Sequence, residues 1–280
     1  MKVMSLEDFC EDIIGKAQKG LKISDAELCD KAGIDEKSLR EVKRGNFDSE
    51  VIKKIALVLK LNEDALVVSA KKAWEPEMVV IEGLRRYESQ YNAKRTYNAL
   101  ADFTVNSYVI WNLKTHEGII ADTGIDATEM IESIVELKII PQMLLLTHSH
   151  TDHIAALEAV REAFPSLRIV IDKKEIVSGA EGIEAGMEFK VGGLNIRTRK
   201  TCGHSPGGLT YVIEGLDRPI AVVGDSLFAG SMGGAPLAYE EALENNRKEI
   251  LSLPEDTIIC PGHGPMTTVK EEKKHNPFFA

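Results

Sequence analysis

The chain has 280 residues, of which 44% are hydrophobic and 28% are charged, and its formal net charge at pH 7 is -10. This length and apolar content allow one large or two smaller folded domains, and the negative charge argues against a general binder of nucleic acids or anionic membranes, since both are themselves negative. The four cysteines lie far apart with no C-x-x-C pair, so neither a disulfide framework nor a cysteine-based zinc site is indicated.

The beginning of the chain does not have the pattern of a signal peptide. Glu7, Asp8, Glu11 and Asp12 interrupt the stretch where an unbroken apolar core would be needed, and no later run is long enough to cross a bilayer. We therefore expect a cytoplasmic protein with no membrane partner.

The first quarter of the chain has the pattern of a small all-helical domain. Five stretches with helical periodicity follow one another up to about residue 70, each beginning at or just after a Ser, Asp or Asn that can cap a helix. Gly33 and Gly45 stand where the second and third helices should end. Because Pro76 indicates a linker, we predict a helical domain over residues 1–72 and a second domain over residues 73–280.

The second domain is predicted to be α/β. From Met78 onward, short β-rich runs alternate with turns and a few helical stretches. The predicted strands include MVVIEG at residues 78–83 and the later runs FTVNSYVIW, MLLLTHSH, LNIRTRK, LTYVIEG and PIAVVGD.

Within the helical domain, residues 21–69 resemble the helix-turn-helix domains of the lambda-repressor and Cro type. The stretches ISDAELCDKAGIDEKSLREVKRGN and VIKKIALVLKLNEDAL carry this resemblance. In that family the third helix enters the major groove of DNA. Here this helix would run from about Asp35 to Arg44 and would present Lys37, Ser38, Arg40, Lys43 and Arg44.

Two features make DNA binding the less favoured interpretation. Residues 1–70 contain 12 Lys and Arg against 14 Asp and Glu, a net charge of -2, which gives little of the counterion release that drives such binding. Asp25 stands where the family usually has a glutamine that reaches a phosphate. The alternative is a module that dimerises or covers a neighbouring site through an apolar face, and we expect a homodimer. This face comprises Ile55, Leu57, Val58 and Leu61.

Residues 147–153, THSHTDH, contain three of the seven histidines of the chain. They follow an apolar run that reads as a buried strand, and they continue into a helical stretch. If the extended geometry persists, His148 and His150 point to the same side, because side chains alternate along a strand. Asp152 and His153 then fall at the turn into the helix and can converge on the same point from another direction.

Three more polar residues follow later apolar strands, each close to a glycine that lets the backbone turn sharply. They are His204 in TCGHSPGG, Asp225 in AVVGDSLF and His263 in IICPGHGP. One such residue alone is more often a surface or hydrogen-bonded residue than a ligand. The whole set indicates a metal site.

The run H-x-H-x-D-H, followed by His, Asp and His in this order, resembles the metallo-β-lactamase superfamily over about residues 78–280. GDSLFAGSMGG, LPEDTIICPGHGPMTTV and HNPFF resemble its short glyoxalase II-like hydrolases. The resemblance implies an αββα sandwich with two metal ions. It assigns His148, His150 and His204 to the first ion, Asp152, His153 and His263 to the second, and Asp225 to a bridging position.

The implied chemistry is hydrolysis of a small-molecule thioester or related ester by metal-activated water. Imidazole and carboxylate suit Zn²⁺, so two zinc ions are expected, with iron or a mixture as the alternative. Asp152 could also orient the attacking water or carry its proton. Two other functions stay open: a mononuclear iron persulfide dioxygenase, and a transcription regulator with a hydrolase-like sensor domain.

Overall fold

The computed structural model describes residues 5–94 and 100–280. Its N-terminal part contains five helices up to residue 70, as predicted. They are α1 (Cys10–Leu21), α2 (Asp25–Ala32), α3 (Glu36–Val42), α4 (Ser49–Leu59) and α5 (Glu63–Ala70).

Four of these helices begin where the sequence places a capping side chain. The side chains of Ser24, Asp35, Asp48 and Asn62 accept hydrogen bonds from backbone N–H groups in the first turns of α2 to α5. Helix α1 differs, because it begins after Phe9, which has no side-chain oxygen. There the Phe9 N–H donates to the carboxylate of Asp12 over 3.2 Å.

The rest of the described chain forms two six-stranded sheets. The first sheet has its strands in chain order: β1 (Leu84–Lys94), β2 (Leu100–Trp111), β3 (Glu117–Ala121), β4 (Ile140–Leu145), β5 (Arg168–Asp172) and β6 (Glu181–Ile183). Strands β1 to β3 pair antiparallel, and β3 to β6 pair parallel.

The second sheet also has its strands in chain order, from β7 at one edge to β12 at the other. Its strands are β7 (Glu188–Val191), β8 (Leu194–Lys200), β9 (Leu209–Glu214), β10 (Ile220–Gly224), β11 (Ile258–Pro261) and β12 (Thr267–Thr268). Only β10 and β11 pair parallel within this sheet, among the described residues.

The two sheets enclose one apolar core and carry helices on their outer faces. The inner core includes Tyr108 and Leu145 from the first sheet and Ile196, Tyr211 and Val222 from the second. Helices α6 (Thr128–Glu136) and α8 (Leu157–Ala163) cover the outside of the first sheet, and a π-helical turn (Asn246–Ile250) and α10 (Val269–His275) cover the outside of the second. The predicted αββα sandwich is therefore confirmed.

One predicted strand is wrong. Residues 78–81 have no regular secondary structure, and β1 begins only at Leu84. Val79 and Ile81 instead pack, partly buried, against the core between the sheets. These apolar side chains pack on the core although the segment does not pair as a strand. In so short a run, the sequence pattern cannot distinguish a strand from an irregular segment that packs on the core.

The helical part and the sandwich share one hydrophobic cluster. Ile13, Ile14 and Ala17 of α1 belong to the same buried cluster as Tyr239 and Phe278, which lie in the C-terminal third of the chain. The proposed boundary at residue 72 stays a prediction, but the helices do not close a core separate from that of their neighbour.

The apolar face expected on α4 is largely used within the chain. Ile55 and Leu61 are buried and Val58 is partly buried in the shared cluster, whereas Leu57 is 64% exposed. Homodimer formation stays a prediction.

The cationic side chains expected at a DNA backbone are partly paired. Lys43 forms an ion pair with Asp25, and Arg44 lies 3.3 Å from a carboxylate oxygen of Glu41. Asp25 thus disfavours DNA binding in two ways: it neutralises the positive charge of Lys43 after α3, and its own carboxylate would repel a phosphate. Whether the helices bind DNA stays a prediction, with binding disfavoured.

No helix in residues 5–94 and 100–280 is both long enough and apolar enough to cross a membrane. All four cysteines are free and buried.

The contact between α1 and the sandwich can be tested with two glycines of the same helix. A Cβ at Gly20 would lie 2.3 Å from Cγ of Tyr239, whereas a Cβ at Gly15 would meet nothing within 4 Å. Gly20→Ala should therefore destabilise the protein by about 1–3 kcal/mol through overpacking. Gly15→Ala should stabilise it by about 0.5–1 kcal/mol through reduced backbone entropy. Urea unfolding measures both, and equal stability of the two variants would contradict the docking of α1 on Tyr239.

Candidate metal centre

All seven predicted ligands converge at one end of the two sheets. The loop after β4 carries His148 and His150, and the short helix α7 (Thr151–Ile154) carries Asp152 and His153. His204, Asp225 and His263 follow β8, β10 and β11, respectively. The strands thus bring residues up to 115 positions apart in sequence to a common site, counted from His148 to His263.

The first group of side chains comprises His148, His150, His204 and Asp225, and a set of their ligand atoms lies within 4.8 Å of one another. Nδ1 of His150 is 2.9 Å from Nε2 of His148 and 2.9 Å from Nε2 of His204. Ligands of a tetrahedral zinc ion at ~2.0–2.1 Å stand roughly 3.3 Å apart, so this spacing is close to the one that a shared ion requires.

The second group comprises Asp152, His153 and His263. Nε2 of His263 lies 3.4 Å from Oδ2 of Asp152 and 3.4 Å from Oδ2 of Asp225. Because the same Asp225 oxygen is also 3.4 Å from Nε2 of His204, it stands between the two groups.

Two buried atoms of this cluster have no hydrogen-bond partner within the described chain, Nε2 of His153 and Oδ1 of Asp225. They lie 3.2 Å apart. Burying such atoms unsatisfied is costly, and a cation placed between them and their neighbours would satisfy both. The donor set of imidazole and carboxylate groups therefore fits a divalent metal ion.

Gly262 allows the loop after β11 to approach Asp225 and His153 closely. A Cβ at Gly262 would lie 2.2 Å from Oδ1 of Asp225 and 2.6 Å from Cε1 of His153. Any larger residue would force the loop after β11 away from the cluster.

Hydrogen bonds at the Nδ1 atoms of three imidazoles orient these rings in the cluster. Nδ1 of His153 lies 2.8 Å from Oδ2 of Asp122, a carboxylate that also accepts from the backbone N–H and the hydroxyl of Thr147. Nδ1 of His263 lies 2.6 Å from the carbonyl oxygen of Thr104, and Nδ1 of His204 lies 3.0 Å from that of Gly234. Each bond leaves Nε2 free to bind metal.

Sequence reasoning missed Asp122, although it has a signal like that of the ligands. It follows β3 directly, next to a glycine-containing turn. Its backbone φ of 52° is in the left-handed region, which a non-glycine residue occupies at some cost. The position of its carboxylate beneath His153 accounts for retaining that conformation.

Glu175 is a second missed residue, and it links two ligand loops. Its carboxylate accepts from the hydroxyl of Ser149, which stands between His148 and His150, and from the backbone N–H of Gly207 over 2.8 Å. Gly207 follows His204 by three residues. Glu175 is itself buried, so these bonds hold the two loops in a fixed relation.

The pKa values of histidines in the two groups are shifted in opposite directions. Burial lowers the pKa of His148 well below its ordinary value and also lowers that of His204. Burial opposes the charged form of His153 as well, but the carboxylates of Asp225 and Asp122 outweigh it and raise its pKa to about 10. The pKa of His263 is likewise raised, chiefly by Asp225, against the effect of burial. Without metal, His153 and His263 therefore hold protons at neutral pH that His148 and His204 do not.

The chain belongs to the metallo-beta-lactamase superfamily, whose family model matches residues 100–263. A probable metallo-hydrolase of Bacillus subtilis is 31% identical over 198 residues, which covers 62% of this chain and 92% of that protein. Hydroxyacylglutathione hydrolase GloC of Haemophilus influenzae is 30% identical over 201 residues, which covers 63% of this chain and 93% of the relative.

Among solved structures, the BLEG-1 B3 metallo-beta-lactamase has a TM-score of 0.56 and 28% identity to this chain. The match covers 69% of this chain and 100% of the lactamase chain. Members of this superfamily are metal-dependent hydrolases whose fold binds divalent metals, and this chain has a cluster of His and Asp side chains that could hold such ions. The protein is thus a metal-dependent hydrolase of this superfamily by fold and family.

Metal binding should release protons mainly from the second group. A metal binds neutral imidazole, and the raised pKa values keep His153 and His263 protonated at neutral pH in the metal-free protein. The apparent zinc affinity of this group should therefore rise with pH through the neutral range, more steeply than that of the first group.

Calorimetric titration of the metal-free protein with zinc at pH 7, in two buffers of different ionisation enthalpy, measures this release. About one to two protons should leave with one zinc equivalent and fewer with the other. A binding heat that is the same in both buffers for both equivalents would contradict the assignment.

Removing the Glu175 carboxylate should weaken metal binding without touching a ligand. Glu175→Ala leaves Ser149 and Gly207 without their common acceptor, and losses of this kind typically cost about 10–100-fold in metal affinity. Competition with a chelator of known zinc affinity measures the change. Glu162→Ala, at an exposed position of α8, serves as the control and should bind zinc like the unaltered protein.

Proposed function

We propose that this protein is a binuclear zinc hydrolase that cleaves a small-molecule thioester or a related ester. The observation that carries the proposal is the position of Asp225. Oδ2 of this carboxylate lies 3.4 Å from imidazole nitrogens of both groups, and Oδ1 is buried without a hydrogen bond in the described chain. One carboxylate facing two sets of nitrogen ligands is the arrangement expected for a residue shared by two ions.

In this proposal His148, His150 and His204 would hold the first ion, Asp152, His153 and His263 would hold the second, and both groups would share Asp225. When bound, two such ions supply Lewis acidity that lowers the pKa of water and polarises a carbonyl oxygen. Imidazole and carboxylate also accept iron, so the choice of zinc follows from the preference of such sites and not from the geometry.

Asp152 is proposed to position the attacking water. Burial opposes its ionisation, but the hydrogen bond to His263 and the nearby His153 hold its pKa below the ordinary value. It is thus ionised at neutral pH and can only accept hydrogen bonds. Its side chain is 20% exposed, more than those of His263 and Asp225, so it faces the open side of the cluster and can take a proton from water there.

A thioester is the favoured substrate on chemical grounds. A thiol has a pKa of about 8.5, so it leaves as thiolate with little need for a general acid, whereas an amine leaving group requires one. The similarity to a relative named hydroxyacylglutathione hydrolase supports the same reaction class.

The proposal predicts about two equivalents of zinc per chain and hydrolysis of S-lactoylglutathione or another acyl thioester that chelators abolish. Asp152→Asn should lower kcat by about 100-fold or more and change KM little, because water positioning counts mainly in the transition state. Steady-state kinetics with metal analysis of each preparation test this. The control is Asp217→Asn, at an exposed position in the turn between β9 and β10, at the opposite end of β10 from Asp225.

Other outcomes would favour the alternatives. Oxygen uptake with glutathione persulfide, one iron per chain and no thioester cleavage would make the protein a persulfide dioxygenase. A metal-loaded protein that turns over neither substrate but binds a DNA sequence selectively would be a regulator with a hydrolase-like sensor domain.

A further inference from the structure

The segment before α1 lies beside the loop that carries His263. A Cβ built on Gly264, the residue after His263, would stand 3.2 Å from the backbone nitrogen of Glu7 and 3.4 Å from its Cβ. Leu6 and Asp8, on either side of Glu7, are only 7% and 5% exposed. The N-terminal segment thus packs at the edge of the loop that carries His263.

Several contacts fix this segment in place. Asp8 forms an ion pair with Lys16 of α1, and the Lys16 ammonium also donates to the carbonyl oxygen of Met232 over 2.9 Å. The ammonium of Lys72 lies 4.2 Å from the centre of the Phe9 ring. The position of Glu7 is therefore set by folded structure on both sides.

Helix α1 extends the same wall through an aromatic ring. Nζ of Lys16 lies 4.8 Å from the centre of the Phe228 ring, and that ring meets the imidazole of His263 edge to face at 5.6 Å between centroids. The N-terminal helices therefore border the metal centre on the side of its second group.

The carboxyl group of Glu7 has no hydrogen bond or ion pair within the described chain, unlike that of its neighbour Asp8. Burial raises its pKa to about 7, while the charge of His263 acts in the opposite direction. The Cβ of Glu7 lies against Gly264, so its side chain leaves the segment beside the loop that carries His263. The charges of His263 and Asp225 both act on its carboxyl group.

We propose that Glu7 is a specificity-determining residue of the substrate cleft. It would bind a cationic or N–H donor group on a substrate held at the metal centre and disfavour an anionic group at the same place. The family model begins at residue 100, so this contact comes from a part of the chain that the family match does not include. The inference rests on the proposed hydrolysis for its kinetic test, but not for its binding test.

The kinetic test compares three thioesters of similar size: acetylthiocholine, which is cationic, ethyl thioacetate, which is neutral, and S-acetylthioglycolate, which is anionic. In the zinc-loaded protein at about pH 8.5, above the pKa of about 7 of the Glu7 carboxyl, Glu7→Gln should lower the ratio of kcat/KM for the cationic to the anionic thioester by about 10-fold. It should change kcat/KM for the neutral thioester by less than about twofold. A single charge contact in a partly exposed cleft is of this size.

Glu7→Asp should keep part of the preference, since it retains the charge at a shorter reach. Glu50→Gln, at an exposed position on α4, is the matched control and should keep the full preference. Zinc content and the thermal midpoint of each variant establish that the fold and the metal centre are intact.

A binding measurement decides the proposal even if no thioester is hydrolysed. Thiocholine and thioglycolate both carry a thiol that can bind zinc, and they differ in charge. At the same pH, the ratio of their dissociation constants in the zinc-loaded protein should favour thiocholine and should shift by about 10-fold toward thioglycolate in Glu7→Gln. An unchanged ratio would overturn the role of Glu7, whereas failure of all three thioesters to react with the unaltered protein would overturn the proposed hydrolysis instead.

Discussion

Asp225 is a carboxylate withdrawn from water and surrounded by imidazoles, and the rest of the site is built around this burial. A buried carboxylate must have compensating charge or hydrogen bonds. Here His263 and His153 provide that charge, and together they hold the pKa of Asp225 well below its ordinary value although burial opposes ionisation. One of its oxygens nevertheless has no hydrogen bond in the described chain. A divalent cation bound at this oxygen would supply the compensating charge that it lacks.

The sandwich explains how such a cluster can form. Strands from both sheets end at the same edge, and the loops that follow them bring the His and Asp side chains together. The core between the sheets is packed from buried side chains of both, so the two edges are held in a fixed relation. Asp122 and two backbone carbonyl oxygens accept hydrogen bonds from the imidazoles and so fix their orientations, and Glu175 joins the loops of the first group.

The N-terminal helices have a different relation to the site from the one expected of a detached DNA-binding module. Their buried side chains share a cluster with Tyr239, Ala242 and Phe278, so the helices and the sandwich support one another. Their first residues also reach the loop that carries His263. This packing is consistent with a module that shapes access to the metal centre, which was the alternative to DNA binding that the low net charge favoured.

The sequence by itself was sufficient to predict those features that depend only on residues close to one another in the chain. The caps of α2 to α5 could be predicted because a capping side chain bonds within three residues of itself. The clustering of His148, His150, Asp152 and His153 could be predicted because one strand end and one helix turn bring them together. The same local reasoning failed at residues 78–83, where apolar side chains pack on the core without pairing as a strand.

Only the tertiary structure decided which distant residues complete the site. Asp122 supports His153 from 31 positions away, Glu175 joins loops 26 and 32 positions distant, and Glu7 meets a loop at the other end of the chain. A single carboxylate has no local pattern that distinguishes such a role from a solvated surface charge. Its function arises from burial and from partners that the packing of sheets and helices brings together, and these are properties of the folded chain.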